Sequence, residues 1–494
     1  MKMKNKIRPI VGLLCATIVL FLTSCVDDGF IDHYIFSSGV TNSTLLSPLA
    51  DSIKFTPILS ETFVTISWPV VNGAGGYKVT FEKVDNPTNP VVVGTANQVV
   101  DGISVTDSLA TNTHYQFVIQ TMGNTQYNNK SALTATTVKY STYAPAYDSI
   151  PSGTDLAQYF QLHPVPSSDT TLIYQLVAGG TYTMNGSVAT GLTNVTFRGD
   201  KVTHPIVTMS ATSGEFVSDG AGIILNTIDF DCTNFKGSGL ITFNSTLNSK
   251  ATTCTWGTLV TSLVALQSCK ITGLAEPLIY DNAQKYALQT LTINDCIIGT
   301  NTTSKNLISD AGGFVKDLTI SNSTIYNTQQ YATAGYMIQY GNDLDALKIT
   351  GAGWSTCSIT LTNSTFWQMY SEHKIANYSG FALSSSNTLT LKKCIFVDCD
   401  NTFSVSSILH DASNTPTRVF GLNTYWATWT NSSSLTTVPS CPPYEIYNSS
   451  TYPYADNSGT VIQSDPQLKS PSTGDFTVQG AAQLAAKTGD PRWL

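Results

Sequence analysis

Apolar residues in the C-terminal two-thirds of the chain recur at fixed places around a series of central positions. Each segment has apolar residues five and three places before its centre and two places after it. The centres are Asp200, Thr233, Cys269, Cys296, Ser323, Ser364, Cys394 and Asn423. Apolar residues at alternate places are typical of a β-strand, whose side chains point to opposite faces in turn. The pattern predicts equivalent strands joined by loops of unequal length.

The three apolar columns of this repeat are nearly unbroken. Five places before the centres stand Val195, Ile228, Val264, Leu291, Leu318, Ile359, Leu389 and the single polar exception, Arg418. Three places before stand Phe197, Phe230, Leu266, Ile293, Ile320, Leu361, Leu391 and Phe420. Two places after stand Val202, Phe235, Ile271, Ile298, Ile325, Phe366, Phe396 and Tyr425. Polar pairs such as Asn294-Asp295 and Ser321-Asn322 precede the centres and suit a bend.

A fixed motif with variable spacing is typical of a stacked solenoid. No long helical period lies between the segments, so βαβ units are not expected. We therefore predict an all-β chain whose residues 144–494 form a right-handed parallel β-helix, with like side chains stacked in ladders along its axis. Residues 153–160 read as a short capped helix that covers the open end of the first coil.

Residues 1–24 read as a targeting segment. Four basic residues, Lys2, Lys4, Lys6 and Arg8, precede an apolar run from Ile10 to Leu22, as in a signal peptide. The alternative, an uncleaved membrane helix, requires about 20 apolar residues, and this run is shorter.

The end of the targeting segment, Leu22-Thr23-Ser24-Cys25, resembles the lipobox of bacterial lipoproteins. The resemblance implies cleavage before Cys25 and attachment of lipid to that residue, with a linker over 25–41. Asp27 and Asp28 resemble the export signal of surface lipoproteins in saccharolytic Gram-negative gut anaerobes. We therefore expect a lipid-anchored protein of the outer membrane that faces the cell exterior.

The charge balance bears on possible partners. The chain has 25 Lys plus Arg against 33 Asp plus Glu, a net charge of −8, and loss of the four basic residues of the targeting segment makes the balance more acidic. A surface of this sign repels nucleic acid at long range. No nucleic-acid partner is expected.

Residues 42–143 form a separate β-rich segment. Val64 to Trp68 alternate apolar and polar, Gly73 to Gly76 form a turn, and Tyr77 opens the next strand. With Leu109 and Tyr115, these residues resemble a fibronectin type III domain, which has the expected size of about 100 residues. The resemblance implies a spacer between the membrane and the next domain.

Two segments of the repeat region carry a second resemblance. Gly179 to Tyr182 and Val195 to Asp200 resemble the first coils of the pectate-lyase-like superfamily. Residues 464–493 resemble the ending of β-helix lipoproteins, mostly of unknown function, that are encoded beside outer-membrane glycan-import systems. The resemblance implies a role in polysaccharide capture or breakdown, with an import complex as a partner. It supplies no reaction.

The third place after each centre is expected to face outward. The residues there are Thr203, Lys236, Thr272, Gly299, Tyr326, Trp367, Val397 and Trp426. Flat rings on an outer face can stack on sugars, so we predict glycan binding by Tyr326, Trp367 and Trp426. Tyr331, Tyr336 and Tyr340 stand in or near the longest loop and extend this set. The alternative is that long loops fold back and bury the rings.

Catalytic residues are not recognisable by pattern. Asp229 and Asp231 share a face of one strand, but the next coil has no matching acidic pair. Lys392, Lys393 and Arg418 lie on neighbouring coils and could meet a carboxylated sugar. We therefore expect a non-catalytic polysaccharide-binding protein without cofactor or metal. The alternatives are a lyase or hydrolase of an acidic, pectin-like glycan, where calcium is conceivable only for a lyase, and a structural or adhesive surface protein.

Three cysteines occupy the column of centres: Cys269, Cys296 and Cys394. Neighbouring coils lie about 4.8 Å apart, so a disulfide between Cys269 and Cys296 requires suitable side-chain directions. We favour a ladder of small buried thiols over disulfides. A loop disulfide between Cys399 and Cys441 is a second hypothesis.

Overall fold

The protein divides into two compact units, Met1–Ala144 and Pro145–Leu494. The structure is a computed structural model. It describes residues 39–58, 62–209, 214–329, 336–341, 346–369, 374–377, 386–399, 417–426, 456, 458–462 and 464–494. Among these residues, none of the helices has the length and apolar character needed to cross a bilayer. The targeting segment and Cys25 lie outside the described residues.

The described part of the first unit contains two antiparallel sheets. The three-stranded sheet has the order Lys54–Ile58, Phe63–Ser67 and Ser104–Ser108. The four-stranded sheet has the order Val91–Val100, Tyr77–Lys83, His114–Thr121 and Thr136–Ser141. The described residues of this unit also form two 3-10 helices, Ala50–Ser52 and Thr125–Tyr127.

Both sheets contribute to one buried cluster, as the alternating sequence predicts. Val64 and Ile66 are buried, whereas Thr65 and Ser67, which alternate with them, are half-buried. The Trp68 ring centroid lies 5.4 Å from that of Tyr77 and 5.7 Å from that of Phe117. Burial of such large rings from both sheets supplies the main stabilisation of the unit.

The second unit is a parallel β-helix of about eight coils, built from three sheets, which we name A, B and C. Sheet A contains Asp148–Ile150, Leu172–Leu176, Val195–Arg198, Ile223–Asn226, Val264–Gln267, Tyr286–Asn294, Phe314–Ser321, Ser358–Thr362, Thr388–Lys392 and Thr417–Gly421, with Thr258–Val260 paired beside Tyr286–Asn294. Sheet B contains Thr181–Met184, Ile206–Met209, Asp229–Asp231, Lys270–Leu274, Ile297–Thr300, Thr324–Asn327, Thr365–Trp367, Ile395–Val397 and Thr424–Trp426. Sheet C contains Val188–Gly191, Phe216–Ser218, Ile241–Phe243, Ile279–Tyr280, Ile308–Asp310, Tyr336–Tyr340 and Lys374–Asn377. The predicted parallel β-helix is confirmed, and its right hand stays a prediction.

In the described part of the second unit, three short helices accompany the sheets: α1 at Leu156–Leu162, α2 at Ala346–Gly351 and α3 at Ala481–Ala486. The Asp155 side chain accepts a hydrogen bond from the backbone N–H of Gln158 at 2.9 Å and so caps α1. Phe160 of α1 packs its ring 5.6 Å from Phe197 of the first coils. The predicted helix is therefore present, and its apolar side joins the interior of the β-helix.

The corner between sheets A and B explains the polar pairs of the repeat. Its first residue has a φ between 47° and 57° in seven successive coils: Thr227, Ser268, Asp295, Asn322, Asn363, Lys393 and Leu422. This left-handed conformation is unfavourable for most residues and is best tolerated by Gly, Asn and Asp. The predicted bend is confirmed, and three of its seven residues are of the tolerant types.

The next residue of the corner is the centre of each repeat, and its side chain satisfies the corner backbone. Cys269, Cys296 and Cys394 each direct the thiol to the carbonyl oxygen two residues earlier, at 3.2 to 3.4 Å. Ser323 and Ser364 make the same bond at 2.7 and 2.8 Å. The three cysteines are free thiols. Cys441 lies outside the described residues, so the proposed pairing with Cys399 stays a prediction.

The first two coils depart from the predicted register. In the second coil Ile223 and Leu225 take the inward places of sheet A, not Ile228 and Phe230. Phe230 lies instead in sheet B between Val207 and Ile271. The centre of this coil is therefore Ile228, five residues before the predicted Thr233. The prediction was wrong here because the sequence from Ile228 to Phe235 also alternates and so resembles the motif.

A longer corner displaces the predicted apolar residue of the first coil. The structure places Val207 of strand Ile206–Met209, and not Val202, in the inward column of sheet B. Val202 is 49% exposed. The inserted residues 199–205 form a loop in which Asp200 accepts backbone hydrogen bonds from Val202 and Thr203.

Candidate functional site

The predicted aromatic stripe is present in register on sheet B. Tyr326, Trp367, Val397 and Trp426 are direct neighbours on four successive parallel strands. Parallel pairing places such neighbours about 4.8 Å apart along the axis. The spacing of the motif was therefore sufficient to predict which rings would lie in line.

A C-terminal segment covers the stripe. We name residues 464–494 the strap; it contains the strands Leu468–Ser470 and Asp475–Val478, helix α3 and the 3-10 helices Pro471–Thr473 and Pro491–Trp493. Its buried Phe476 ring lies 5.0 Å from Tyr326 and 6.3 Å from Trp367. Trp367 is 8% exposed. Tyr326 and Trp426 are half-buried, so the strap covers Trp367 most completely and the other two rings in part.

The remaining predicted ligand-binding residues do not extend the stripe. Tyr336 and Tyr340 lie on a strand of sheet C, and Tyr340 packs in the interior cluster with 1% of its surface exposed. Tyr331 lies outside the described residues. The structure thus brings together Tyr326, Trp367 and Trp426 and separates them from the tyrosines of sheet C.

The last part of the strap is fastened to five successive coils. Thr488, Gly489, Asp490 and Arg492 are hydrogen-bonded to one coil after another, with donor–acceptor distances of 2.7 to 3.4 Å; the strap residue donates in each bond except that between Thr324 and the Asp490 carboxylate. The partners, in order along the strap, are Leu422, Lys393, Thr365, Thr324 and Cys296. The strap therefore runs along the outer face of sheet B parallel to the solenoid axis.

An open groove lies on the same outer face where the strap stops covering it. The floor is formed by outward residues that are neighbours on four successive strands: Ile206, Asp229, Lys270 and Ile297. Corner residues Thr227, Ser268 and Asp295, the loop Lys201–His204, and Arg492 of the strap line its sides and ends. A concave surface of mixed polar and apolar side chains is typical of a ligand site.

The charged groups of the groove are unevenly paired. His204 Nδ1 lies 2.7 Å from Asp229 Oδ1, and the Arg492 guanidinium contacts the carboxylates of Asp295 and Asp490. Lys270 is exposed on the floor. No acid or other acceptor for its ammonium is found within the described part of the chain. The groove therefore offers an uncompensated positive charge at its centre.

The acidic pair noted in the sequence belongs to this surface. Asp229 and Asp231 both point outward from one strand of sheet B. In the neighbouring coils Asp231 is flanked by Thr208 and Thr272, and Asp229 by Ile206 and Lys270. Asp231 accepts hydrogen bonds from the backbone and hydroxyl of Thr233.

The basic residues of the later coils do not converge. Arg418 lies beside Leu389 on the next strand and occupies the equivalent inward place of sheet A. Lys392 is exposed at the end of its strand. Lys393 lies in the corner, where its carbonyl oxygen accepts the backbone N–H of Gly489. Across the residues that the structure describes, no group of three His, Cys, Asp or Glu side chains is arranged to hold a metal ion.

Two buried carboxyl groups were not noticed in the sequence. Asp281 and Asp310 belong to adjacent coils of sheet C and are fully buried. Asp281 accepts backbone hydrogen bonds from Ala283 and Gly312 at 2.8 Å, and burial raises its pKa to about 6. Burial and the neighbouring Asp281 charge raise the pKa of Asp310, whose oxygens have no hydrogen-bond partner among the described residues.

Lys270 and Arg492 were also missed as site residues, for different reasons. Lys270 stands one place after a centre, and that place also faces outward, so the repeat itself contained the signal. Arg492 reaches the groove only because the strap docks on sheet B. The local sequence around Arg492 holds no indication of that contact.

Comparisons with known proteins identify domains without assigned activity. A domain of unknown function, DUF4992, matches residues 3–179; two further domains of unknown function, DUF4957 and DUF5123, match residues 180–328 and 359–493. No curated protein matches the chain. Among solved structures, the chain is similar to the family 28 exopolygalacturonase of Yersinia enterocolitica, with 12% identity over 80% of this chain and 88% of that one and a TM-score of 0.22.

Proposed function

We propose that this protein is a cell-surface lipoprotein whose β-helix binds a carboxylated polysaccharide in the groove of sheet B, without cleaving it. The observation that carries the proposal is the unpartnered Lys270 ammonium on the groove floor. It lies between Asp229, whose carboxylate contacts His204, and the apolar Ile297. A charge-assisted bond from this ammonium to a sugar carboxylate is among the stronger polar contacts.

The local charge contrasts with that of the whole protein. The chain has a net charge of −8, yet Lys201, Lys270 and Arg492 line the groove together with only two acids, Asp229 and Asp295. The apolar side chains of Ile206 and Ile297 at either end can contact the carbon faces of sugar rings. These features favour an acidic linear glycan over the neutral glycans that overall charge alone would suggest.

The aromatic stripe has a different place in this proposal. Sugar stacking on Tyr326, Trp367 and Trp426 stays a prediction, and it requires the strap to leave sheet B. The contacts of Phe476 with Tyr326 and Trp367 support a structural role for the stripe as the docking surface of the strap.

The anchoring and location are also proposals. The lipobox-like residues around Cys25 support lipid attachment, and the acidic residues after it support display on the outer membrane near a glycan-import complex. The protein would then hold polysaccharide close to the transport machinery.

The first unit is proposed to be a fibronectin type III spacer. Its three- and four-stranded antiparallel sheets have the strand numbers of that fold. The Tyr115 hydroxyl accepts the backbone N–H of Ala110 at 2.6 Å, as in the tyrosine corner of such sandwiches. A spacer of this kind would raise the β-helix above the membrane.

Affinity electrophoresis with polygalacturonate, other uronates and neutral glycans tests the binding proposal. We expect retardation by a uronate and about tenfold weaker binding after Lys270→Ala, the loss of one charge-assisted contact. Lys236→Ala is the matched control, since Lys236 is exposed but does not line the groove. Unchanged uronate binding by Lys270→Ala would place the site elsewhere.

A second candidate function is cleavage of the same glycan by a hydrolase or lyase. The His204–Asp229 contact at 2.7 Å and the nearby Asp231 support it, because paired carboxylates or a His base can transfer protons at a glycosidic linkage. Reducing ends and unsaturated uronate, measured with wild type and Asp229→Asn, separate the two. Product formed by the wild type and absent with the variant supports an enzyme. If the product is unsaturated uronate, loss of activity on addition of a chelator would show that the lyase depends on calcium.

A further inference from the structure

The strap and the groove lie one after the other along the outer face of sheet B. The strap contacts the later coils, and its last bonds reach Thr324 and Cys296. The groove floor begins at Ile297, in the same coil as Cys296, and continues to Ile206. A linear polymer lying on the groove floor along the axis is therefore directed at the strap.

The part of the strap that meets the groove, residues 491–494, is held by several contacts. We name these residues the wall. Asp490 is 1% exposed. Its carboxylate accepts a hydrogen bond from Thr324 at 2.7 Å and forms an ion pair with Arg492 at 3.0 Å. Arg492 also contacts Asp295 at the groove edge. The Trp493 indole donates to Thr324 at 2.8 Å. Displacement of this wall would break several bonds to buried groups at once.

From this geometry we infer that the groove binds one end of a polysaccharide chain and not its middle. The inference rests on the proposed function. Four strands, with three steps of about 4.8 Å between them, give room for about three sugar units. The wall at Arg492 prevents the polymer from continuing over the later coils. The ligand class is thus the terminal portion of an acidic glycan, or a short acidic oligosaccharide.

The stoichiometry of binding tests the inference directly. The full-length protein is titrated by calorimetry with galacturonate chains of short, intermediate and long defined length. End binding gives one protein per chain at every length, with similar affinity per chain. A number of bound proteins that rises in proportion to chain length would overturn the inference while leaving the proposed function intact. Absence of binding at every length would refute the proposed function, and the inference with it.

Removal of the wall gives a second test. A variant lacking the whole strap, residues 464–494, is expected to bind several copies per long chain, because the wall and the segment that covers the later coils are then both absent. Lys487→Ala on the strap is the control, since Lys487 is exposed and does not line the groove. One copy per chain in a folded truncated protein would contradict the wall as the cause. If the truncated protein does not fold, the wild-type stoichiometry decides.

Discussion

Asp281 and Asp310 stack in adjacent coils with both carboxyl groups fully buried, and only Asp281 receives backbone hydrogen bonds from the turn beside it. Two buried carboxyl groups in adjacent coils cannot both ionise at low cost. The backbone donors of Ala283 and Gly312 favour the charge on Asp281. Asp310 is therefore the group that retains its proton in the folded protein.

This arrangement predicts a stability that falls with rising pH. Both pKa values are raised by burial, so the contribution of the pair is fully present below about pH 4, where the carboxyls of the unfolded chain are also protonated. It is lost as pH rises through the folded pKa of Asp281, about 6. A rise from 3.8 to about 6 corresponds to about 3 kcal/mol.

Replacement of the protonated acid by an amide tests the pair. Asp310→Asn should raise the thermal midpoint by several degrees near pH 8 and change it little near pH 4. Asp169→Asn makes the same chemical replacement at an exposed acid and serves as the control. An equal shift of the Asp310→Asn midpoint at both pH values would show that packing, and not ionisation, causes the effect.

Trp367 is predicted to stabilise the strap. Its ring packs against Phe476 and its indole donates to Asp398 at 3.0 Å. Trp367→Ala should reduce the free energy of unfolding by about 3 to 5 kcal/mol and expose the strap to trypsin at Lys469 and Lys487.

A double-mutant cycle distinguishes this contact from general damage. Phe476→Ala should have a similar effect, and the double variant should cost less than the sum because both remove one contact. Leu484→Ala, at a side chain that is 39% exposed, should leave cleavage unchanged. Additive losses would mean that the two rings stabilise the protein independently.

The coils were predictable because their inward side chains repeat at fixed places. Leu266, Ile293 and Ile320 lie in one column of sheet A, as the motif required. The prediction failed locally where Ile228 and Phe230 repeat the same alternation five residues out of register. Alternation alone cannot choose between two overlapping strands, because hydrogen-bonded pairing with the next coil decides the register.

The candidate site was less predictable than the fold. The line of Tyr326, Trp367 and Trp426 follows from the repeat, but its cover does not, because Phe476 stands in a segment without that period. Trp367 is buried by a contact with Phe476, which is distant from it in sequence. The groove likewise needs Arg492 from the strap, whereas Lys270 could have been found by inspecting both outward places of each strand.

The corner of the β-helix gives a prediction about backbone strain. Lys393 and Asn363 occupy equivalent left-handed places in adjacent coils, with φ of 53° and 47°, and both are half-buried. Asn tolerates this conformation better than Lys. Lys393→Asn should therefore stabilise the protein by about 1 kcal/mol, and Asn363→Lys should destabilise it by a similar amount.

Denaturant unfolding of the two variants and of the double variant checks this prediction. The double variant exchanges the residues between coils and should have nearly wild-type stability, which controls for composition and charge. A loss of stability in Lys393→Asn would indicate that contacts of the lysine side chain outweigh the backbone effect.

The Tyr115 hydroxyl is predicted to stabilise the first unit. The ring is fully buried and stacks 4.8 Å from Phe81, while the hydroxyl accepts the backbone N–H of Ala110 at 2.6 Å. Tyr115→Phe keeps the ring and removes this acceptor, so it should cost about 1 to 3 kcal/mol, measured by denaturant unfolding of the full-length protein followed through a probe in this unit. The half-buried Tyr127→Phe is the control, because no hydrogen bond of its hydroxyl is found in the described part of the unit. Equal stability of the two variants would mean that Ala110 finds another partner and that the corner does not depend on Tyr115.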